Sequence, residues 1–231
     1  MRIALLFSGQ PRTVDGITFE SIKATFLSQY QVDVYGHFWR YVDADKAVSN
    51  ATDNIEKFKN QYSPKATATD RPLTESEYPP NAITSFQRNS YSMYVSMKRV
   101  YDLFEASNDN IKYDWIVRIR VDSVIYRCPN LTTLSPGSIY VPKWHDNPEL
   151  VVNHTIIMSP EHAKRFFSIP DTFHQIDGVS DEHYVYAHLK LHDMTQFLAP
   201  LSMEIFYPTF SRDGITSANP SPPGDNNYRV M

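Results

Sequence analysis

Glycine is scarce in this chain, since 231 residues contain only seven glycines. They lie too far apart to form the G-x-G-x-x-G fingerprint of dinucleotide-binding proteins or the G-x-x-x-x-G-K-[ST] phosphate-binding loop. The sequence therefore excludes two common classes of nucleotide-binding protein in their standard form.

Cysteine and long apolar runs are equally scarce. The single cysteine, Cys128, permits neither an internal disulfide nor a cysteine-based zinc cluster, and it fits a reducing compartment. The longest unbroken apolar run, Ile3–Phe7, is far shorter than the roughly 20 residues of a membrane-spanning helix. It is also shorter than the roughly 7 to 15 apolar residues of a signal peptide. We therefore expect a soluble, cytoplasmic protein without a membrane span.

An excess of positive charge is absent too. Lys and Arg total 22 against 26 Asp and Glu, which gives a net charge of -4. Such a chain has no overall positive field to hold a nucleic-acid backbone, so we expect no nucleic-acid partner. The length is sufficient for one continuous hydrophobic core.

The first forty residues predict a strand, a helix and a second strand. The apolar run Ile3–Phe7 is typical of a strand buried on both faces, and apolar residues at near-helical spacing follow up to Ser28. A second strand is predicted at Val32–Phe38, parallel to the first. Because ligands bind where parallel strands end, we expect Ser8–Arg12 and Gly36–Trp39 to share one rim of the sheet.

The middle of the chain predicts its longest helix. Residues 40–80 are harder to interpret: a short helix at 50–60 and a weak strand at 65–69 are indicated within an otherwise irregular segment. From residue 81 apolar side chains recur at helical spacing, with Asn81 or Thr84 as the N-cap and with Ile83 and Phe86 on the apolar stripe. A strand at Trp115–Arg120 follows.

The remaining chain predicts shorter elements. We expect strands at Ile139–Val141 and Val151–Met158, a loop around Trp144, a helix capped near Ser159 and another helix at about Ser180–His192. Residues 211–231 are rich in Pro, Ser, Asn and Asp. They are typical of a strap over the surface or of a linker to a further domain beyond residue 231.

The strongest local signal is a row of charges at the end of the predicted strand at Trp115–Arg120. Side chains alternate across a strand, so Arg118, Arg120 and Asp122 point to one side. Burying unpaired charges costs several kcal/mol each, so this side either faces a cleft or pairs its charges internally. One interpretation is a salt-bridge network beneath a loop. The other is an anion and metal site, in which arginines hold phosphate oxygens and the carboxylate takes a divalent cation.

Three blocks of the sequence, Phe7–Arg12, Val32–Trp39 and Tyr113–Asp122, resemble a family of small glycosyltransferases from bacterial surface-polysaccharide clusters and large DNA viruses. The resemblance covers about residues 1–200. It implies a GT-A-like α/β single domain with a mostly parallel sheet flanked by helices. Residues 1–126 would form its Rossmann-like nucleotide-sugar half, and residues 127–210 its acceptor half.

The resemblance also implies an activity and a cofactor. The enzyme would move a hexosyl or deoxyhexosyl group from a UDP-sugar to a glycan hydroxyl, on a viral capsid glycoprotein or a surface polysaccharide. A viral member would work in the host cytoplasm. The family holds Mn²⁺ or Mg²⁺ with an Asp-x-Asp signature, of which only the second acid, Asp122, is present here. Arg120 stands at the first position. Either Asp122 alone holds the ion, or Arg120 neutralises part of the leaving diphosphate.

In this hypothesis, the ends of the first two predicted strands form the donor site. Gly9 permits a close approach of the backbone to the nucleotide, and Arg12 can reach a phosphate. His37 and Trp39 can stack on uracil or line the pocket, although a core aromatic is the simpler interpretation of Trp39. Arg88 on the long helix can approach the donor or lie in solvent. The predicted donor residues are Ser8, Gly9, Gln10, Arg12, His37, Arg88, Arg118 and Arg120.

Acceptor chemistry is predicted in the second half of the chain. If the reaction inverts the anomeric configuration, a carboxylate must deprotonate the acceptor hydroxyl. We assign Asp181 as this base and Glu182 as an acceptor-sugar ligand; the alternative is that both residues only cap a helix. Trp144 and His154 are predicted acceptor contacts, and His154 is also a candidate metal ligand or a buried core histidine.

Two other function classes remain open. His183, His188 and His192 lie close in sequence, and the last two share one helical face, which a His-ligated metal hydrolase would use. No Glu lies between the last two histidines as it does in the zincin motif. An aromatic content of 13% fits a non-catalytic carbohydrate-binding domain. A binding domain needs neither a phosphate-binding row such as Arg118–Asp122 nor a general base.

Overall fold

The computed structural model describes residues 1–12, 14–40, 51–142, 147, 149–201, 204–206, 210–211 and 214–215. Seven of its strands form one sheet: β1 Arg2–Gly9, β2 Gln31–Trp39, β3 Ala66–Asp70, β4 Trp115–Arg120, β6 Ile139–Pro142, β7 Thr155–Met158 and β8 Leu198–Leu201. Their order in the sheet is β3-β2-β1-β4-β7-β6-β8. The pairs β1–β2, β2–β3, β1–β4 and β6–β8 are parallel, whereas β7 runs antiparallel to both β4 and β6. The protein is therefore an α/β protein with a mixed, mostly parallel sheet flanked by helices.

Strand β1 is buried on both faces, as predicted. Its side chains alternate between two apolar clusters: Ala4 and Leu6 pack on one face of the sheet, and Ile3, Leu5 and Phe7 pack on the other. This division follows from the two-residue repeat of a strand. Helices therefore cover both faces of the sheet.

The helix predicted after β1 is confirmed, and it ends at Leu27, directly before Ser28. Helix α1 spans Ile17–Ile22 and continues as one π-helical turn at Lys23–Leu27. The short helix and the weak strand indicated within residues 40–80 are confirmed as α2 (Ala51–Tyr62) and β3. Residues 41–50 lie outside the described part of the chain.

Helix α3 (Ser85–Ala106) is the longest described helix, and Thr84 is its N-cap. The Thr84 hydroxyl accepts a hydrogen bond from the Gln87 backbone at 3.2 Å, and the Gln87 side chain accepts one from the Thr84 backbone at 2.9 Å. The predicted apolar stripe is wrong at its start, because Ile83 is 74% exposed and Phe86 is 41% exposed. The buried face of α3 begins only at Ser90, one turn into the helix.

The later elements are short. Helices α4 (Pro160–Phe166), α5 (Ile169–Thr172) and α6 (Asp181–Leu191) follow β7, which begins at Thr155 rather than at the predicted Val151. Strands β5 (Val124–Arg127) and β9 (Glu204–Phe206) pair outside the main sheet. Strands β10 (Phe210–Ser211) and β11 (Gly214–Ile215) form a separate two-stranded ribbon. None of the described helices combines the length and the apolar character needed to cross a lipid bilayer.

Both predicted halves of the chain contribute to one sheet. Strands β1–β4 come from residues 1–126, and β6–β8 come from residues 127–210. The division into a nucleotide half and an acceptor half stays a prediction. Most of the predicted C-terminal strap, residues 212–213 and 216–231, lies outside the described residues.

Gly36 provides a test of the packing between β2 and α2. A Cβ atom at this position would lie 2.8 Å from Cε1 of Phe58 and 2.9 Å from Cε2 of Phe38. We expect Gly36→Ala to lower the free energy of unfolding by about 1–3 kcal/mol, as overpacked cores do. Urea denaturation measures the loss. The same substitution in a Phe58→Leu background should lose less, and an equal loss in both backgrounds would show that the ring does not cause it.

Candidate functional site

A cavity of about 990 Å³ opens at the carboxyl ends of β1 and β4. The N-terminal half of α3 and the segment after β3 form its other walls. Seven of the eight predicted donor residues line it, as does Asp122. The complete lining is Ser8, Gly9, Gln10, Arg12, Trp39, Pro72, Leu73, Glu75, Tyr78, Ser85, Arg88, Asn89, Ser92, Met93, Arg118, Arg120 and Asp122.

Hydrogen bonds from the backbone of Gly9 and from the side chain of Arg12 hold the end of β1 and the loop after it in place. Gly9 has a φ of 116°, in the region that favours glycine, and its N–H donates a hydrogen bond to Ser96 Oγ on α3 at 3.0 Å. The Arg12 Nε group donates to Gln10 Oε1 at 3.1 Å. The strand end therefore presents backbone and side-chain polar groups to the cavity from a fixed position.

His37 is the predicted donor residue that the structure does not bring to the cavity wall. Its side chain is fully buried, Nδ1 lies 2.8 Å from Ser96 Oγ, and Nε2 lies 2.9 Å from Asp70 Oδ2. Burial lowers the pKa of His37. A buried ring with both nitrogens hydrogen-bonded cannot stack on a base, so the predicted direct contact is corrected to support of the neighbouring strand end.

Trp39 forms part of the cavity wall above His37. The two rings make an edge-to-face contact with centroids 5.1 Å apart. The guanidinium group of Arg99 lies over the indole ring at 5.0 Å, and Arg99 Nη1 donates to Asp70 Oδ2 at 2.7 Å. Trp39 is thus held between a buried histidine and a paired arginine, which fixes the orientation of an apolar surface at the cavity.

Arg118 combines both interpretations of the charged row. Its side chain is fully buried, yet it belongs to the cavity lining. The guanidinium group donates to the carbonyl oxygen of Asn153, and Nη2 lies 3.5 Å from Ser8 Oγ. Both of these oxygens are neutral, so they stabilise the guanidinium group by hydrogen bonding alone.

Arg120 is paired with Asp122. Its Nε donates to Asp122 Oδ1 at 2.5 Å, and its Nη2 donates to Oδ2 at 3.2 Å. Nη1 of the same guanidinium lies 3.2 Å from Nε2 of His154, which accepts as a neutral imidazole. Burial, together with the charges of Arg120 and Arg118, lowers the pKa of His154 to about 2. His154 therefore orients Arg120, and its predicted contact with the acceptor stays untested.

Asp181 lies at the start of α6, against α3. Ser90 Oγ is hydrogen-bonded to Asp181 Oδ1, and the Tyr94 hydroxyl donates to the backbone carbonyl of Asp181 at 2.6 Å. Burial raises the pKa of Asp181, while the Ser90 hydrogen bond and the charges of Arg120 and Arg118 lower it. Ser180 provides the side-chain cap of α6 by accepting from a backbone N–H, so the carboxylate of Asp181 is not needed for that role. Glu182 is half-buried beside it.

Trp144 and His188 are two further residues for which the sequence predicts a role. Trp144 lies outside the described residues. His188 is buried with Nδ1 2.7 Å from Thr172 Oγ1 and Nε2 2.7 Å from the carbonyl oxygen of Arg165, so neither nitrogen is open to a metal. Burial also lowers its pKa, to about 4. Within the described part of the chain, no group of three or more His, Cys, Asp or Glu residues could hold a metal ion.

The cavity wall that α3 forms opposite the strand ends was predicted only at Arg88. Arg88 lies there as predicted, but it donates to Glu75 Oε1 at 2.7 Å, and its guanidinium group lies 5.5 Å from the ring centre of Tyr78. A usable signal was present, because polar residues recur along α3 at helical spacing. They are Ser85, Arg88, Asn89, Ser92 and Ser96.

No protein-family model matches this chain, and no curated protein is similar enough to count as a relative. The function must therefore be inferred from the cavity itself. Four arginines and two acidic residues line it, which leaves a net charge of +2 in a chain whose net charge is -4.

His154 provides a pH test of the site. Its pKa in the folded state is about 2, below the ordinary value of 6.5, so the unfolded chain takes up the proton first as pH falls. The histidine therefore makes the folded state lose stability below pH 6.5, by up to about 1.4 kcal/mol per pH unit. We expect His154→Gln to reduce this slope in urea titrations at pH 7, 6 and 5. The matched control is His174→Gln at an exposed position, and equal slopes for the two variants would contradict the assignment.

Proposed function

We propose that this chain is a GT-A-like glycosyltransferase that binds a UDP-linked sugar in the cavity at the ends of β1 and β4. One observation carries the proposal: a net positive lining, built from Arg12, Arg88, Arg118 and Arg120, in an otherwise acidic chain. Arginine is well suited to diphosphate oxygens because its planar group binds them in pairs. The acceptor in this proposal is a glycan hydroxyl on a capsid glycoprotein or a surface polysaccharide, with the reaction in the cytoplasm.

The two ends of the donor have separate candidate partners. The loop Ser8–Gln10 offers backbone and side-chain hydrogen bonds to the edge of a base, and Trp39 offers an apolar surface. In this proposal the arginines receive the diphosphate and the sugar lies toward Asp181, which is not itself part of the cavity lining. The charges of Arg118 and Arg120 act on the Asp181 carboxylate, which supports proximity between the base and the phosphate end.

The chemical step is a substitution at the anomeric carbon. The acceptor oxygen forms a bond to this carbon, the bond to the diphosphate oxygen breaks, and its electron pair leaves with the diphosphate. If the configuration inverts, the acceptor proton passes to the Asp181 carboxylate, whose raised pKa suits a general base. Arg118 and Arg120 stabilise the negative charge that grows on the leaving group. Glu182 would hold the acceptor sugar.

A non-catalytic carbohydrate-binding domain is the weaker alternative. Aromatic rings at Trp39 and Tyr78 line the cavity and could stack on a sugar. Such a domain, however, needs neither a buried arginine at the cavity wall nor a general base.

The donor assignment is tested by calorimetry with UDP. We expect the parent protein to bind UDP and Arg12→Ala to bind it several-fold more weakly, because Arg12 lines the cavity at the end of the β1 loop. Arg71→Ala is the matched control, since Arg71 pairs with Glu77 at 2.6 Å and does not line the cavity. A parent protein without affinity for UDP would contradict the proposed donor.

The base assignment is tested by the pH dependence of turnover. We expect Asp181→Asn to lower sugar transfer by about 10²- to 10⁴-fold while UDP affinity is kept. Ser90→Ala should move the acidic limb of the profile to higher pH, because the Ser90 hydrogen bond lowers the pKa of Asp181. Ser76→Ala, at an exposed position, is the control. An unshifted limb in Ser90→Ala would remove Asp181 from the role of base.

A further inference from the structure

We propose that Arg120 replaces a divalent cation at the diphosphate, so that the donor is bound and used without metal. This inference rests on the proposed function and specifies how the same site handles phosphate charge. It selects between the two roles that the sequence leaves open for the Arg120–Asp122 pair.

Asp122, the candidate metal ligand, is already paired with Arg120. Both of its carboxylate oxygens accept hydrogen bonds from Arg120, at 2.5 Å and 3.2 Å, and its side chain is only 4% exposed. A hard cation such as Mn²⁺ or Mg²⁺ needs those oxygens as ligands. Both oxygens are turned toward Arg120 and the side chain is almost inaccessible to an ion that keeps several of its waters, so the residues present do not fit the metal in this arrangement.

The groups around the Arg120–Asp122 pair also disfavour a cation. His154 accepts from Arg120 Nη1 at 3.2 Å, so carboxylate and imidazole hold the guanidinium plane from two sides. Arg118 lines the same part of the cavity. A divalent cation at Asp122 would lie near two positive groups, which repel it. The described residues offer no further acidic or histidine cluster that could compensate.

The formal charge of the cavity lining equals that of the donor's diphosphate in magnitude and is opposite in sign. The cavity lining carries a net charge of +2 from four arginines and two acidic residues. A diphosphate diester carries about one negative charge per phosphate, so the lining already matches the donor. A bound divalent cation would leave the site with an excess of positive charge. Arg120 can instead supply charge stabilisation directly when the leaving group gains its electron pair.

The test compares UDP affinity in EDTA and in Mn²⁺, by calorimetry on the whole chain. We expect the two dissociation constants to agree within about two-fold, since a difference of tenfold corresponds to about 1.4 kcal/mol. Affinity at least tenfold tighter in Mn²⁺ would overturn this inference and leave the proposed function intact. Absence of UDP binding in both buffers would overturn the proposed function and this inference with it.

A substitution at residue 120 sharpens the test. Arg120→Asp puts two carboxylates on the same side of the strand end, so we expect UDP affinity to fall in EDTA and to return in Mn²⁺. Arg120→Lys keeps the positive charge and should remain independent of Mn²⁺, with circular dichroism checking that both variants fold. If Arg120→Asp keeps the parent affinity in EDTA, Arg120 does not perform the task that we assign to it.

Discussion

Two arginine side chains at the carboxyl end of β4 impose the main electrostatic constraint on this fold. Arg118 is fully buried and Arg120 partly buried, so each must be stabilised by groups from other elements. Ser8 at the end of β1, the carbonyl of Asn153, His154 before β7 and Asp122 supply those groups. The positions of the β1 loop and of the segment before β7 therefore follow from the need to surround these two cations.

Much of the fold could be predicted because its signals are local. The apolar run Ile3–Phe7 identified a doubly buried strand, and the helical spacing after Thr84 identified α3 with its cap. The segments Ser8–Arg12 and Gly36–Trp39 were expected at one rim because they lie at the ends of two parallel strands, and Trp39 does line the cavity together with the β1 loop. Strand periodicity and the position of strand ends are properties of short segments, so one sequence is sufficient to find them.

The parts that could not be predicted depend on distant pairings. The bond between Ser90 and Asp181 joins residues 91 positions apart, and no local pattern indicates it. His37 was expected to face the ligand, but contacts with Ser96 and Asp70 from α3 and β3 enclose its ring. Ile83 and Phe86 fit the helical period, yet they are exposed because the core ends before them. Whether Arg120 and Asp122 pair with each other depends on side-chain rotamers, which spacing does not determine.

The continuity of the main sheet limits how the molecule can move. Strand β4 is hydrogen-bonded to β1 on one side and to β7 on the other, so the first and second halves of the chain share one set of backbone bonds. A hinge between the halves would break the pairing of β4 with β7. A molecule that binds in the cavity must consequently enter and leave through its open mouth, while the strand pairing of the sheet is kept. Access to the cavity is then set by the side chains and loops at its mouth rather than by a separation of the two halves of the sheet.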